Sequence, residues 1–538
     1  MKKLFYLPAL AAALFFTSCS SDEPAGPNNG EVNENGGYLA VNIMSAGGSR
    51  ATSTDFEVGE TKENKAESAL FMFYDVAGNP TQTPQLVDLG DWNNTTSNQP
   101  QIENISKTVV VVAGKTKPTQ MLVILNPGNL QLAGLNLTDA RNKVADYATG
   151  LTTEGKFLMT NSGYAQGTTL VKSTDLTGAK FYESKEEADK GADADAVQVY
   201  VERVVAKIKT NAATGMTNNG TDVTLIPDDG GTPTTIKVVP EINGIEVANV
   251  ATTSFLFKNI NNIGTWTAAW PDVNDPDNKR CYWAGFPTGL KVGNKPWKEI
   301  NGDPAAAFTT YVQENTQMEN PTAIIVAATL KVNGTAQDLI RWSDNYYLPE
   351  RFKSAIATFV QNGGFMVKEA DGKLRSVKPE EVDYITDVQH AALVEAGTIE
   401  AYHTVGCIAE SAKGLTFVKN VRTEGGVTNS DAATVDEINT HLQTLANRFL
   451  YWKGGKTYFF TNIEHFGEKT DAIDFSIGVV RNHIYSLTLE SISGLGVPVF
   501  NPEEIINPQK PNDKIFRMRA QINILKWRIV NQNVNFTD

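Results

Sequence analysis

The pattern of apolar and polar residues predicts a chain built mainly of β-strands. Short strand-like runs recur along the sequence, and Gly, Asn and Pro lie between them. The strongest runs are continuously apolar, as in strands buried on both faces, and span residues 69–74, 108–113, 121–125 and 323–330. The break at residues 114–118 predicts a hairpin between the second and third of these runs, and residues 197–208 and 479–489 predict two further strands.

Helical patterns are fewer. Apolar residues three or four positions apart predict a helix over residues 435–450, with Thr434 as N-cap and Glu437 completing a capping box. Residues 351–359 are a second candidate helix. The predicted class is therefore mainly β, with two transthyretin-like or Greek-key β-sandwich domains and a few decorating helices.

The N-terminus has the features of an export signal. Lys2 and Lys3 precede an apolar run of 13 residues, from Leu4 to Phe16, which is shorter than the roughly 20 residues that span a bilayer. We therefore expect a signal peptide over residues 1–18. Cys19 follows a small-residue cleavage site that resembles a bacterial lipobox, with Phe16 where Leu is usual, so acylation of Cys19 is expected. The alternative is an ordinary secretory signal in which Cys19 has no special role.

One predicted strand lies soon after this signal. Residues 20–37 are rich in Ser, Asn, Gly and Pro, which is typical of a flexible tether. Leu39, Val41 and Ile43 then alternate with other residues, as in a strand with one buried face. The predicted propeptide, residues 19–50, therefore contains the lipidated Cys19 and one removable strand.

A candidate cleavage site follows the strand. Arg50 is the only basic residue between Lys3 and Lys62, and small, flexible residues surround it. A trypsin-like protease needs such an extended segment, so cleavage after Arg50 would make Ala51 the new N-terminus. The alternative is a β-hairpin loop with an incidental Arg50.

The C-terminus predicts a strand that could bind to another subunit. A polar, Pro-containing linker covers residues 501–514, and a long strand is expected over residues 515–535, with a bulge or kink between Ile524 and Leu525. A terminal strand of this kind can dock into its own subunit or into a neighbour. Its apolar residues at even-numbered positions, which share one face of a strand, are Ile522, Ile524 and Val530. Those at odd-numbered positions are Leu525, Trp527 and Ile529.

Composition and charge argue against several functions. The 538 residues are enough for about two to four domains, and we expect an N-terminal domain over residues 51–262 and a C-terminal domain over residues 263–538. The formal net charge of −14 disfavours nucleic acid as a partner. Three Cys and five His leave few groups for metal or catalytic chemistry, and we expect no cofactor, no metal and no enzymatic activity.

Individual candidates for chemistry are weak. Residues 272–278 place carboxylates at alternate positions but lack the Gly and distal Glu of an EF-hand loop, so a solvated acidic loop is favoured. The same interpretation is given to Asp193 and Asp195. Glu464 and His465 could form an acid–base pair, although no third group is visible. Cys281 and Cys407 could form a disulfide or remain buried thiols.

Several segments, taken in order, resemble a known family. They include YLAVNI before Arg50, SALFMFYDVAGNP, VYVERVVAKI, CYWAGFPTG, PTAIIVAATL, TNIEHFG, GVVRNHIYSLTLESISGLGVPVF and INILKW. Together with Cys19 they resemble the fimbrillins, the type V pilins of anaerobic Gram-negative bacteria, in the branch of the minor-fimbrium major subunit.

The resemblance implies a structural subunit of a surface fimbria with a role in adhesion. Such a precursor reaches the outer membrane as a lipoprotein, and an Arg-specific protease removes the anchor and first strand, here after Arg50. A strand from the next identical subunit then fills the vacated place, giving a head-to-tail polymer that also contacts anchor and tip subunits. We expect residues 515–538 to supply the donor strand, with residues 51–58 as the competing candidate.

Two other functions stay open at this point. The chain could be a surface lipoprotein that keeps its anchor and binds glycan or host protein through its Trp residues at 266, 270, 283 and 297. It could also be the tip or anchor subunit of a fimbria. An outer-membrane hydrolase has no visible catalytic group in its favour.

Overall fold

The structure of the protein is a computed structural model. It describes residues 38–46, 59–90, 95–96, 102–113, 116–145, 157–166, 169–218, 220–227, 231–260, 284–303, 308–424, 427–465, 478–508, 518–523 and 528–536. As predicted, this part of the chain is mainly β, and helices are short and few.

The first unit contains a nine-stranded sheet in the order β3-β2-β6-β8-β12-β1-β5-β4, with β11 beside β6. Its apolar runs pack into one core that includes Leu39, Phe71 and Val123, each fully buried. The predicted strands at residues 69–74 and 121–125 are confirmed as β2 and β6. The strands are β1 (Tyr38–Ala46), β2 (Ser68–Tyr74), β3 (Gln85–Asp88), β4 (Thr95–Thr96), β5 (Ile102–Val112), β6 (Gln120–Leu125), β8 (Met159–Asn161), β11 (Thr174–Asp175) and β12 (Val197–Arg203).

The second unit pairs a five-stranded sheet with another nine-stranded sheet. The first has the order β19-β13-β32-β35-β34, and the second β30-β22-β23-β14-β15-β20-β31-β33, with β21 beside β20. One core joins the two sheets, because Ile208 and Tyr485 from the first pack with Val247 and Val326 from the second. This arrangement is a β-sandwich.

Strands of the five-stranded sheet are β13 (Val205–Asn218), β19 (Phe308–Gln313), β32 (His483–Ile492), β34 (Met518–Asn523) and β35 (Arg528–Phe536). Those of the facing sheet are β14 (Thr221–Ile226), β15 (Thr234–Ala248), β20 (Ala323–Val332), β21 (Thr335–Ala336), β22 (Leu339–Trp342), β23 (Asn345–Tyr347), β30 (Leu450–Trp452), β31 (Lys456–Asn462) and β33 (Val497–Pro498).

Small sheets and helices complete the described fold. The remaining strands are β7 (Val144–Ala145), β9 (Tyr164–Gln166), β10 (Thr169–Val171), β16 (Val250–Ala251), β17 (Ser254–Phe255), β18 (Val292–Gly293), β24 (Met366–Lys368), β25 (Leu374–Arg375), β26 (Val382–Tyr384), β27 (Gly406–Ile408), β28 (Phe417–Glu424) and β29 (Val427–Ala433). The helices are α1 (Thr61–Asn64), α2 (Leu137–Arg141), α3 (Lys185–Asp195), α4 (Pro349–Asn362), α5 (Asp387–Glu395) and α6 (Val435–Leu442).

The two predicted helices form, with one difference in length. Helix α4 contains the predicted residues 351–359, and α6 begins at the predicted N-cap, where Thr434 and Glu437 make the capping box. Helix α6 ends at Leu442, however, and the chain turns into strand β30 by Leu450. The apolar spacing continued past the end of the helix because Phe449, just before β30, also lies in the core, whereas Leu445 in the turn is exposed.

Two predictions about strand connections are wrong. Strand β5 does not form a hairpin with β6. It pairs with β1 and β4, whereas β6 pairs with β2, β8 and β11. The predicted strand over residues 197–208 is divided at Val204, so that β12 lies in the first sheet and β13 in the second unit.

This division also bears on domain organisation. Strands β13, β14 and β15 precede residue 262, yet they pair with β32, β23 and β20 of the later chain. The change of sheet therefore falls at Val204, and the boundary between residues 262 and 263 stays a prediction. Local composition gave no sign of this position, because β12 and β13 together form one continuous strand-like run.

Candidate functional site at the seat of the first strand

Strand β1 occupies an interior position in the first sheet. It pairs antiparallel with β5, from Tyr38 opposite Val112 to Ala46 opposite Ile102, with two irregularities in register. On its other side it runs parallel to β12, from Val41 opposite Val197 to Ser45 opposite Val201. We define the β1 seat as the position between β5 and β12 that β1 fills.

The β1 seat is closed on both faces. Leu39 and Val41 are fully buried in the core of the first unit. Ala40 lies between them on the opposite face of the strand and is also fully buried, outside that core. Helix α3 lies over β1 and β5, and its Ala188 is fully buried as well. A strand in this position therefore has core on one face and a helix on the other.

Helix α3 is fixed to β1 by contacts around Tyr182. The backbones of Tyr38 and Tyr182 exchange two hydrogen bonds, of 2.7 and 2.8 Å. The Tyr182 hydroxyl donates to Asp195 at 2.8 Å, and the Lys180 ammonium lies 2.7 Å from the same carboxylate. These two partners, Lys180 first, lower the pKa of Asp195. The predicted solvated acidic loop is therefore wrong here, because Asp193 and Asp195 lie on α3.

The predicted processing residues fall outside the described part of the chain. These are Cys19, Arg50 and Ala51, and their roles stay predictions. The backbone of Ile43 pairs with Val199 in β12, so Ile43 lies in a strand, although its side chain is not described. Removal of this strand stays a prediction.

A group of buried charges joins the two units next to α1, which is the first described helix after Arg50. The Lys207 ammonium on β13 lies 2.6 Å from Glu63 and 2.8 Å from Glu60. Lys207 and Glu63 have fully buried side chains, whereas Glu60 is half exposed. The hydrogen bond from Lys207 is the main reason that the pKa of Glu60 falls to about 2.

Other polar residues complete this group. The Arg203 guanidinium donates to the Glu63 backbone oxygen at 3.1 Å, to Asn482 at 3.2 Å and to Asn64. The Tyr311 hydroxyl donates to Glu63. The pKa of Tyr311 is raised mainly by burial and secondly by the hydrogen bond to this carboxylate. Because the partners come from β12, β13, β19 and the loop before β32, they fix α1 against both units.

Two further buried ion pairs lie in the same region. The Lys258 ammonium is 2.8 Å from Glu202, and the Arg481 guanidinium is 2.5 Å from Glu314. Arg481 also donates to the backbone oxygens of Phe255 and Leu256. Burial is the main cause of the raised pKa of Glu202. The signal for this region in the sequence is the set of charged residues within the apolar run 197–208.

The C-terminal segment differs from its prediction. A single long strand was expected, but β34 and β35 are two strands paired antiparallel. β35 also pairs in parallel with β32 in the sheet of its own subunit. Of the predicted donor residues, Ile522 lies in β34, and Ile529 and Val530 lie in β35. Ile524, Leu525 and Trp527 are outside the described residues.

The linker before these strands is fastened to the body of the subunit. His390 Nδ1 lies 2.9 Å from Glu504, and its Nε2 lies 2.9 Å from the His403 backbone oxygen. The Ile506 amide donates to the Lys295 oxygen at 3.1 Å. The chain before β34 is therefore held against the rest of the subunit at Glu504 and Ile506.

Hydrogen bonds within the fold account for the ring nitrogen of the candidate His465, for the neighbouring His483 and for the candidate Trp297. His465 Nδ1 lies 2.8 Å from the Tyr485 hydroxyl and His483 Nδ1 lies 2.7 Å from the Arg481 oxygen, and both rings are buried. Trp297 donates its indole N–H to the Thr457 oxygen at 2.7 Å. The other three Trp of the candidate glycan site, Cys281 and residues 272–278 lie outside the described chain. No cluster of metal-binding side chains occurs among the described residues.

Cys407 provides a pH-dependent prediction. It is a free cysteine, and burial raises the pKa of its thiol to about 11. Because only the thiolate reacts, alkylation by iodoacetamide should be slow at pH 8 and should rise about tenfold per pH unit as the pH approaches 11. Mass spectrometry of the peptide that contains Cys407 measures this rate. A rate that is already at its maximum at pH 9 would contradict the buried environment.

Comparison with known proteins gives a family match for one part of the chain. Residues 450–533 match the family model for the major fimbrial subunit protein type IV, fimbrillin, C-terminal region. The C-terminal part of this chain is thus similar to that of the fimbrillins, and the predicted resemblance to this family is confirmed there. No curated protein matches the chain.

Solved structures of low identity are also similar. A Porphyromonas gingivalis fimbrilin, FimA, is 13% identical, with 94% of this chain and 98% of that chain covered and a TM-score of 0.33. A putative cell adhesion protein from Parabacteroides distasonis is 13% identical, with 93% and 98% covered and a TM-score of 0.32. The tip fimbrial protein Mfa3 of Porphyromonas gingivalis is 11% identical, with 55% and 80% covered and a TM-score of 0.28. Likeness at this level carries no argument about function.

The helices in the described part of the chain are short. None of the helices in this part of the chain has the length and apolar character needed to cross a bilayer.

Proposed function

We propose that this protein is a structural subunit of a surface fimbria. In this proposal the precursor is acylated on Cys19, held at the outer membrane and cleaved after Arg50. Loss of residues 19–50 removes β1, and a C-terminal strand from the next subunit takes its place. The partners are identical subunits in a head-to-tail polymer, together with an Arg-specific protease and the anchor and tip subunits. The proposed role of the fimbria is adhesion.

The observation that carries the proposal is the position of β1. Its residues lie between the two predicted processing sites in sequence, and it pairs with a strand on each side in the fold. Without β1, backbone groups of β5 and β12 lose their partners, and the core loses Leu39 and Val41. Buried backbone groups strongly favour a new partner, and a strand from another chain supplies one.

The covalent step can be tested on purified precursor with an Arg-specific protease. We expect unmodified protein to be cut after Arg50 and to form polymers, whereas Arg50→Ala stays monomeric. Size-exclusion chromatography and electron microscopy measure the polymer, and N-terminal sequencing identifies Ala51. Arg422→Ala is a matched control, because Arg422 is half exposed and lies far from β1 in the fold.

Two results would contradict this function. One is equal polymerisation of the Arg50→Ala variant. The other is fimbrial material sheared from cells whose first residue is still acylated Cys19, which would favour an anchored surface protein.

A further inference from the structure

The β1 seat imposes a sequence requirement on any strand that replaces β1. Leu39 and Val41 point into the core and are fully buried, and Ile43 continues their alternation. A replacement strand that repeats the sequence pattern of β1 therefore has three apolar residues at alternate positions. An Asn or Gln at one of the buried positions would lose its hydrogen bonds to water, which weakens binding of the strand.

The candidate donor segments differ in how they meet this requirement. Strand β35 itself has no three successive alternate apolar residues, since Asn or Gln interrupts both sets. Leu525, Trp527 and Ile529, which lead into β35, do alternate, but Lys526 lies between the first two and would take the fully buried position of Ala40. In residues 51–58 the even-numbered positions contain only two large apolar residues, Phe56 and Val58, and the odd-numbered positions contain none. Strand β34 and the residue after it meet the requirement with Ala520, Ile522 and Ile524.

The sequence also fixes a register. Ile522-Asn523-Ile524-Leu525 repeats the pattern of Val41-Asn42-Ile43-Met44 in the same direction. Resting on the function proposed above, we propose that β34 of a second copy of this chain is the donor. It runs parallel to β12, with Ile522 at the position of Val41 and Asn523 at the position of Asn42. Strand β35 then plays no part in filling the seat.

In this register two residues of β34 differ in size from the β1 residues that they replace. Gln521 takes the position of Ala40, which is fully buried on the face that α3 covers. Ala520 takes the position of Leu39, which is fully buried in the core. A smaller residue at the first position and a larger one at the second therefore match the β1 seat better than the natural residues.

The mismatches predict two stabilising substitutions, to be made in the full chain and measured on polymers formed after cleavage at Arg50. Gln521→Ala and Ala520→Leu should each raise the temperature at which polymers dissociate in detergent, and Gln532→Ala on β35 should leave it unchanged. Lower or unchanged dissociation temperatures for both β34 variants would overturn the register, as would an increase for Gln532→Ala alone.

Cysteine cross-linking tests the register directly. Asn42 lies opposite Thr108 of β5, and residues opposite each other in antiparallel strands are about 4.5–5.5 Å apart at Cα, within the range of a disulfide. In a background of Cys281→Ser and Cys407→Ser, Thr108→Cys with Asn523→Cys should give covalent ladders of subunits on oxidation. Thr108→Cys with Asn533→Cys, which tests β35 as donor, should give none.

The possible outcomes separate this inference from the proposed function. Polymers that cross-link through Asn533→Cys, or through neither position, would overturn β34 as the donor in this register and leave the fimbrial function standing. Failure of the cleaved, unmodified chain to polymerise would overturn both.

Discussion

Replacing Lys207 by Met is expected to lower the free energy of unfolding by about 3–5 kcal/mol. Lys207 and Glu63 form an ion pair in which both side chains are fully buried. Met has a similar length but no charge, so the Glu63 carboxylate would stay buried without its main compensating cation. Urea denaturation followed by circular dichroism measures the loss.

Two variants make this prediction specific. Lys62→Met removes an exposed ammonium that pairs with Glu60, and we expect a loss below about 1 kcal/mol. Adding Glu63→Gln to Lys207→Met should recover part of the stability, because the amide is neutral and still accepts the hydrogen bond from Tyr311. Equal losses for Lys207→Met and Lys62→Met would show that the buried pair does not hold the two units together.

Leu39→Ala is expected to destabilise the precursor by about 2–5 kcal/mol and to have no effect on the polymer. Leu39 is fully buried in the core of the first unit, so truncation leaves a cavity there. If cleavage after Arg50 removes β1, the mature subunit no longer contains this residue. Thermal unfolding of the precursor and dissociation of the polymer by heat measure the two effects.

Leu122→Ala is the matched control for this experiment. Leu122 is equally buried in β6 of the same core, but it lies well after Arg50 and stays in the mature chain. We expect it to weaken precursor and polymer alike. If Leu39→Ala also weakened both forms, β1 would still occupy its own sheet in the fibre, and the proposed exchange of strands would be wrong.

Local pattern was enough to predict much of the fold. Continuous apolar runs gave β2, β6 and β20 nearly at their observed bounds, and the capping box gave the start of α6. Alternation also identified β1 as a strand with Leu39 and Val41 on the face toward the core, although the opposite face is buried as well. These features depend on neighbouring residues, which is why a single sequence reveals them.

Other features depend on contacts between distant residues. The pairing of β5 with β1 rather than with β6, and the burial of Ala40 beneath α3, have no local signal, because alanine is compatible with either face. The group around Glu63 brings together residues more than a hundred positions apart. In the C-terminal segment, the apolar residues change from even-numbered to odd-numbered positions between Ile524 and Leu525. Such a change is compatible with a bulge in one strand and also with the end of the first strand of a hairpin, so it did not predict the pairing of β34 with β35.

The pairing of β1 on both sides also has a mechanical consequence. The predicted lipid anchor precedes β1, so a drag force on a tethered precursor would pull along the axis of this strand. Its hydrogen bonds to β5 and β12 run across that axis, and they would be loaded together in shear instead of opening one after another. We therefore expect the uncleaved precursor to withstand flow on its tether, so that release from the cell depends on hydrolysis of the chain rather than on force.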